Sequence, residues 1–392
     1  MLFQAGAAKI NVTPHLGCQM AGYASRDQGS QTITDALYSK AIVLDDGNQQ
    51  VAIITNDLIG VAAEFVADVR REIEYATSIP QRNIMISCSH THFGPETRQS
   101  DLITNNEHII GNGKYIHHLA ERMTTVVEIA QQNLQPARIG YGSGMVDNVS
   151  FNRHTIQPDG TAKTSFLLPP PDTDLTFGLS DPKLNIIRIE DPNQKTIATL
   201  VHFACHPVTS TDKMYAISAD YPGYVMNLIE GVEGGVTLFG LGCAGNLVPI
   251  QRQKAFPRLI GHTIGAEALK VLQWINTTCD IRIQTHTKSV ELTRRETGEV
   301  GDVEKIEIQC INIGGIYFVG LPGEIFTEIG LNIASKSGIE KLLLISMTNG
   351  SYGYFPTMIA YEQGGYESGV SQFQADCGET LTEVVTEMIR EV

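Results

Sequence analysis

The chain has 392 residues, and 28 Lys+Arg against 43 Asp+Glu leave a formal net charge of −15 with histidine neutral. That balance excludes nucleic-acid binding on charge grounds, and 42% hydrophobic against 18% charged residues excludes a disordered chain. No apolar run approaches the ~20 residues of a membrane span, no basic segment leads into a long apolar run at the start, and seven scattered cysteines without a CxxC pair fit reduced thiols in a cytoplasmic setting.

In chain order, Ala41–Leu44 and Val51–Ile54 read as strands, Ala62–Ala76 as an amphipathic helix and Asn83–Cys88 as the next strand. A second helix is predicted over Lys114–Gln132. Leu184–Glu190 and Thr196–Ala204 read as paired strands and Val236–Leu241 as another. Helices follow at about Ile260–Ile275, Phe326–Ser337 and Glu379–Val392, with hairpin-like strands over 281–318. Strand–helix alternation in the first half, with antiparallel pairing added, predicts an α/β fold, a mixed layered αβ domain spanning 1–392. One segment breaks this texture. From Gln157 to Pro182 the chain holds five of its sixteen prolines and reads as a long loop, a lid or a flexible excursion.

Ser87–Pro95 takes a strand into a Gly-Pro turn and presents His90 and His92 two residues apart. In an extended backbone these side chains share a face and can address one site, as a metal ligand and a proton-transfer partner or as two polar residues on backbone carbonyls. In Val201–Pro207 an apolar strand again ends at a histidine. His202 and His206 are too far apart along a strand, about 13 Å, for one metal, so His206 is the candidate ligand and His202 a core histidine.

Gly320–Phe326 sets Glu324 after a Pro-Gly turn at a helix start, where its ordinary use is to complement the helix dipole. The Gly240–Gly245 turn carries Cys243 but has Leu241 where a nucleophile elbow wants glycine. No Lys-Ser/Thr follows it to make a phosphate loop. The tyrosines 352, 354, 361 and 366 lie in a glycine-rich stretch that predicts a loop lining something.

Taken together, these residues resemble the neutral/alkaline (non-lysosomal) ceramidase family. The likeness runs from Ala7–Pro14 and Met20–Ala24 through Ser89–Pro95, Asn152-Arg153, Cys205–Pro207, Ile217–Asp220, Gly245–Pro249 and Pro322–Glu324 to the tyrosine tail. It implies the catalytic-domain fold of that family and a zinc ion held by His90, His206, Glu324 and Tyr354, with Tyr354 preferred over Tyr352 because its spacing to Tyr361 and Tyr366 resembles the family's. It also implies proton transfer and oxyanion stabilisation by His92, Arg153 and Tyr366. Two departures stand out. Val248 occupies a family serine position, and the chain stops soon after the tyrosine tail, where ceramidases continue into an immunoglobulin-like domain.

The expectation is therefore a zinc-dependent hydrolase of an amide bond in a small or modestly apolar N-acyl substrate, with ceramide a poor one. An esterase at the same site, a non-catalytic zinc- or ligand-binding protein on the same scaffold and a cysteine hydrolase through Cys243 are the alternatives. Small-molecule substrate is the only partner expected, with no nucleic acid and no membrane span.

Overall fold

The computed structural model describes residues 3–98, 112–295 and 300–392. Three layers build the molecule, each a sheet with a pair of helices packed on it. In the first, the strands run in the order 84–88, 50–56, 38–45, 4–11 and 135–136, and helices α1 (Ala63–Thr77) and α2 (Gly113–Gln132) pack together, with α2 on strands 4–11 and 38–45. In the second, the order is 236–241, 196–203, 183–190 and 138–145, with helices α3 (Asp220–Glu233) and α4 (Phe256–Leu272) paired on it. In the third, strands 283–295, 300–313, 316–320 and 342–345 carry α5 (Thr327–Ser337) and the last helix.

The inner faces of all three sheets meet in one apolar cluster, where Ile42, Ile53 and Met85 join Ile187, Leu200 and Leu238 and then Ile311, Phe318 and Ile345. Sheets buried on both faces carry near-continuous apolar runs, which is why strands such as Val51–Ile54 stand out in sequence. The paired strands predicted over 184–204 are antiparallel, with Ile187 opposite Leu200.

Three expectations are corrected. The tyrosine tail is not a loop throughout: Met358–Gln363 (α6) and Tyr366–Val370 (α7) are short helices, separated by Gly364 and Gly365 at φ +80° and +107°, before α8 (Cys377–Arg390). Glu324 does not sit in a first helical turn; it forms a two-residue strand, Glu324–Ile325, parallel to Tyr354–Phe355, and α5 begins after Phe326. The strand carrying Ser87 ends at Cys88, so the two histidines beyond it are not on extended backbone. In the proline-rich stretch, Ala162–Thr164 pairs back on His154–Ile156 and the rest is irregular.

Candidate metal centre and active site

Each sheet contains one parallel strand pair: 50–56 with 84–88, 196–203 with 236–241, and 316–320 with 342–345. In α/β sheets, sites form beyond the carboxyl ends of such strands. All six strands contribute here. Ile59 follows the first and His90 and His92 the second; His206 follows the third and Ala244, Gly245 and Leu247 the fourth; Glu324 follows the fifth and Tyr354 the sixth.

The chain turns at His90 into the left-handed region, φ +68°, a conformation uncommon outside glycine and a mark of functional sites. Its amide donates to Leu58 O at 2.9 Å, and its Nδ1 lies 2.8 Å from Ile59 O. His206 Nδ1 faces Ala244 O at 2.6 Å and Leu247 O at 3.1 Å, and His92 Nδ1 faces Gly22 O at 3.1 Å. A carbonyl only accepts, so each Nδ1 carries a proton, and a ring that carries no second one turns a bare Nε2 inward. His90 Nε2 and His206 Nε2 stand 3.2 and 3.1 Å from Glu324 Oε2, and His92 Nε2 stands 3.3 Å from His90 Nε2. Three imidazole nitrogens and a carboxylate oxygen thus converge with no donor among them. The residues fit a divalent cation, which such a donor set accepts.

Electrostatics agree. Burial lowers His206 to about 4 and His92 well below the ordinary imidazole value, so both rings stay neutral. Burial alone would raise the Glu324 carboxyl, so it stays well below the usual range only through positive charge at its oxygens, which a cation held by the bare Nε2 atoms would supply. Tyr354 is opposite in sense: burial first, then the charge of Glu324, raises its phenol well above 10. Its hydroxyl accepts from Arg153 Nη2 at 3.1 Å.

Arg153 is buried behind that tyrosine, its Nε on Glu367 Oε1 at 2.5 Å and its Nη2 also 3.1 Å from Gly245 O. Tyr366 stands at the mouth, 45% exposed, its ring edge-on to Tyr354 at 5.9 Å and to Phe166 at 5.6 Å. Phe166 belongs to the proline-rich loop, which therefore borders the opening. A cavity of about 440 Å³ leads in, lined by His90, His92, Glu324, Tyr354 and Tyr366 together with Tyr23, Arg26 and Arg98.

All seven residues singled out in the sequence meet here. The His-x-His pair converges through the turn at His90 and not through strand alternation. His202 is a satisfied core residue as expected, between Asn185 Nδ2 at 3.0 Å and Leu344 O at 2.9 Å. The cysteine-hydrolase alternative fails on burial: Cys243 packs in the apolar cluster of the third layer and its thiol is pushed up, far from thiolate chemistry. All seven cysteines are unpaired.

Sequence reasoning missed Arg26, whose guanidinium donates to the carbonyls of Met214, Ala21 and His92. It also missed Glu367 and the role of Asp220. No local pattern announces any of them, because their partners are distant in sequence. No helix among the described residues is long and apolar enough to cross a membrane.

Known proteins resemble this chain in sequence and in fold. The curated neutral ceramidase of Pseudomonas aeruginosa is 25% identical over 256 residues, 63% of this chain and 37% of its own length. That of Mycobacterium tuberculosis is 25% identical over 224 residues, 56% of this chain and 34% of its own. These matches span little more than a third of the relatives. The crystal structure of the Pseudomonas enzyme superposes with a TM-score of 0.83 at 19% identity, covering 99% of this chain and 74% of that one. A solved ceramidase complex superposes equally well, with a TM-score of 0.83 at 18% identity over 100% of this chain and 76% of its own. The family profile described as neutral/alkaline non-lysosomal ceramidase, N-terminal, matches residues 3–243, which hold both histidine segments. Glu324, Tyr354 and Tyr366 lie beyond residue 243, where the match to the family profile ends. With more than half of its length so matched and the fold shared throughout, the chain belongs to the neutral/alkaline non-lysosomal ceramidase family.

Proposed function

We propose that the chain is a zinc-dependent hydrolase cleaving the amide bond of a small N-acyl compound, and that the layers around the shared core form one catalytic unit. The observation that carries this reading is the convergence of bare histidine nitrogens and the Glu324 carboxylate on the floor of an open cavity. The relatives, named for ceramide, supply the amide as the bond at issue.

His90, His206, Glu324 and Tyr354 would hold the ion. Bound Zn²⁺ brings the pKa of its water down to roughly 7 and polarises a carbonyl. His92, with Nδ1 fixed on Gly22 O and Nε2 facing the centre, is placed to take a proton and return it to the leaving amine. Tyr366 at the mouth would stabilise negative charge on the substrate oxygen, an effect of about 2.7–4 kcal/mol per donor, and Arg153, behind Tyr354, would act through the hydroxyl to which it donates.

A second reading has a specific basis. The Nδ1 or Nε2 atoms of His90, His92 and His206 lie within 4.8 Å of one another, which makes His92 a candidate third nitrogen ligand.

Purified protein should carry about one zinc per chain, and His90→Ala and Glu324→Ala should each lose most of it. A panel of N-acyl amides and matched esters should show turnover dependent on the metal. Full zinc occupancy in both variants sinks the ligand assignment. Ester turnover with amides untouched moves the function to esterase, and zinc without turnover moves it to metal or ligand binding.

A further inference from the structure

The acceptor that fixes the His92 ring is Gly22 O, 3.1 Å from Nδ1. Regular structure does not hold that acceptor in place. Residues 21–31 belong to no helix or strand, and the loop meets the His92 segment through the bridge of Met20 to Pro95 and the bond of the Ala21 amide to Gly94 O at 3.0 Å. Gly22 itself, at φ +96°, is the residue type with the widest backbone freedom, so nothing intrinsic to it keeps its carbonyl turned toward the ring.

Arg26 holds both sides of this glycine. Its Nη1 donates to Ala21 O, the carbonyl just before Gly22, and its guanidinium lies 4.9 Å from the centroid of Tyr23, the ring just after it. That tyrosine in turn stands edge-on to His92 at 5.4 Å. Nη2 of Arg26 donates to His92 O at 2.8 Å and Nε to Met214 O at 2.7 Å, and the Phe93 ring lies 5.5 Å from the guanidinium. One side chain therefore grips the loop whose carbonyl aims the imidazole, the backbone of the histidine that carries it and the segment that follows His206. The planar fork makes this possible, because its donors point in fixed directions, whereas an ammonium is a single point of charge. Arg26 also lines the cavity. Each of its three nitrogens is engaged by a backbone carbonyl, which suits a brace of the wall better than an anchor for substrate.

We propose that Arg26 is the positioning residue of His92: by fixing the Ala21 and His92 carbonyls it keeps Gly22 O on Nδ1, and so keeps Nε2 aimed at the centre. The effect on rate rests on the amide-hydrolase reading; the effect on the ring does not.

The test uses zinc-loaded protein labelled with ¹⁵N in histidine. Wild type should show a resolved Nδ1–H resonance for each of His90, His92 and His206, each assigned by its absence from the matching alanine variant. In Arg26→Ala the His92 resonance should broaden or vanish through exchange with water, while those of His90 and His206 stay in place. With an N-acyl amide at saturating zinc, kcat should fall by roughly 10- to 100-fold with KM within a few-fold of wild type, the scale of a misplaced catalytic group. Arg26→Ala added to His92→Ala should slow that variant no further, as expected when one residue acts only through the other. An unchanged His92 resonance in Arg26→Ala, or a rate loss that multiplies onto that of His92→Ala, overturns the proposal and leaves Arg26 a brace of the loop alone. Loss of all three resonances together marks unfolding, and Arg26→Lys, which keeps the charge but not the fork, then decides on the same two readings. If wild type turns over no amide, the amidase reading fails, while the His92 resonance still upholds or overturns the positioning.

Discussion

His92 shows how much one residue's role depends on a neighbour with no side chain. Gly22 lies at φ +96°, and a Cβ there would meet the His92 ring at 2.5 Å, so only glycine lets its carbonyl reach Nδ1 and fix the ring. With Nδ1 so occupied, Nε2 faces the centre as either proton carrier or third ligand. His92→Ala separates the two. As a proton carrier, its loss leaves zinc bound and lowers kcat by about 10²–10⁴; as a ligand, its loss takes zinc with it. Metal content, Tm and kcat measured on one preparation decide, and zinc retained with kcat within a few-fold of wild type removes His92 from both roles. At this scale the sequence displays the residue types but not the backbone that aims them. The His-x-His pair is visible, while the left-handed turn at His90 that brings its rings together is not, because histidine, though enriched at positive φ, adopts it too rarely for the residue type to mark the turn.

The same division holds for elements. Strands with continuous apolar runs, such as 50–56 and 196–203, and amphipathic helices such as α1 and α2 are legible because burial writes itself as periodicity. Strand Arg138–Met145 is not, since its core-facing positions alternate with glycine; a Cβ on Gly142 would meet Ile275 and Val271 of the α4 region at 2.7 and 2.8 Å. The segment 217–221 is marked in the sequence only by the family likeness, and its role is hidden, that of a turn tying the two histidine loops together. Ser218 donates its amide to Phe93 O and accepts Thr91 Oγ1 at 2.8 Å, while the buried Asp220 carboxylate takes the amides and hydroxyls of both Thr209 and Ser210. His92 N in turn reaches Pro207 O at 3.3 Å. Asp220→Asn turns one acceptor into a donor against these groups. Each donor left without an acceptor costs about 1–3 kcal/mol, so we expect stability to fall by on the order of 3 kcal/mol. Zinc affinity should also weaken with every metal-binding side chain intact. Denaturant unfolding and zinc competition well below the Tm check this, and unchanged affinity beside lowered stability would show that the turn braces the fold but not the centre.

Across the whole molecule the layers are joined by charge as well as by the apolar core. Lys40, on strand 38–45 of the first sheet, lies just ahead of the strand expected over Ala41–Leu44. It is buried, because the second layer covers it: Nζ donates to Thr237 O at 2.8 Å and lies 3.4 Å from Glu230 of α3, with buried Asp57 also drawing on its charge. Burial pushes the Asp57 carboxyl up to about 6 in spite of Lys40. Its unfolded value is near 3.9, so the folded state favours the protonated acid. Keeping Asp57 charged in the fold then costs about 3 kcal/mol above pH ~6, a cost that fades as pH falls toward ~4. Lys40→Met keeps much of the side chain's volume but withdraws the cation. Glu230 retains Lys9, whereas Asp57 loses the positive charge that chiefly lowers it, and its carboxyl rises further. Removing one partner of a buried pair costs about 3–5 kcal/mol, and here the loss should be full at pH 7.5 and clearly smaller at pH 5, where Asp57 takes a proton and needs no counter-charge. Denaturant unfolding of wild type and Lys40→Met at the two pH values measures it. Equal losses at both would mean that Lys40 joins the layers through Thr237 and Glu230 alone, with Asp57 outside the linkage.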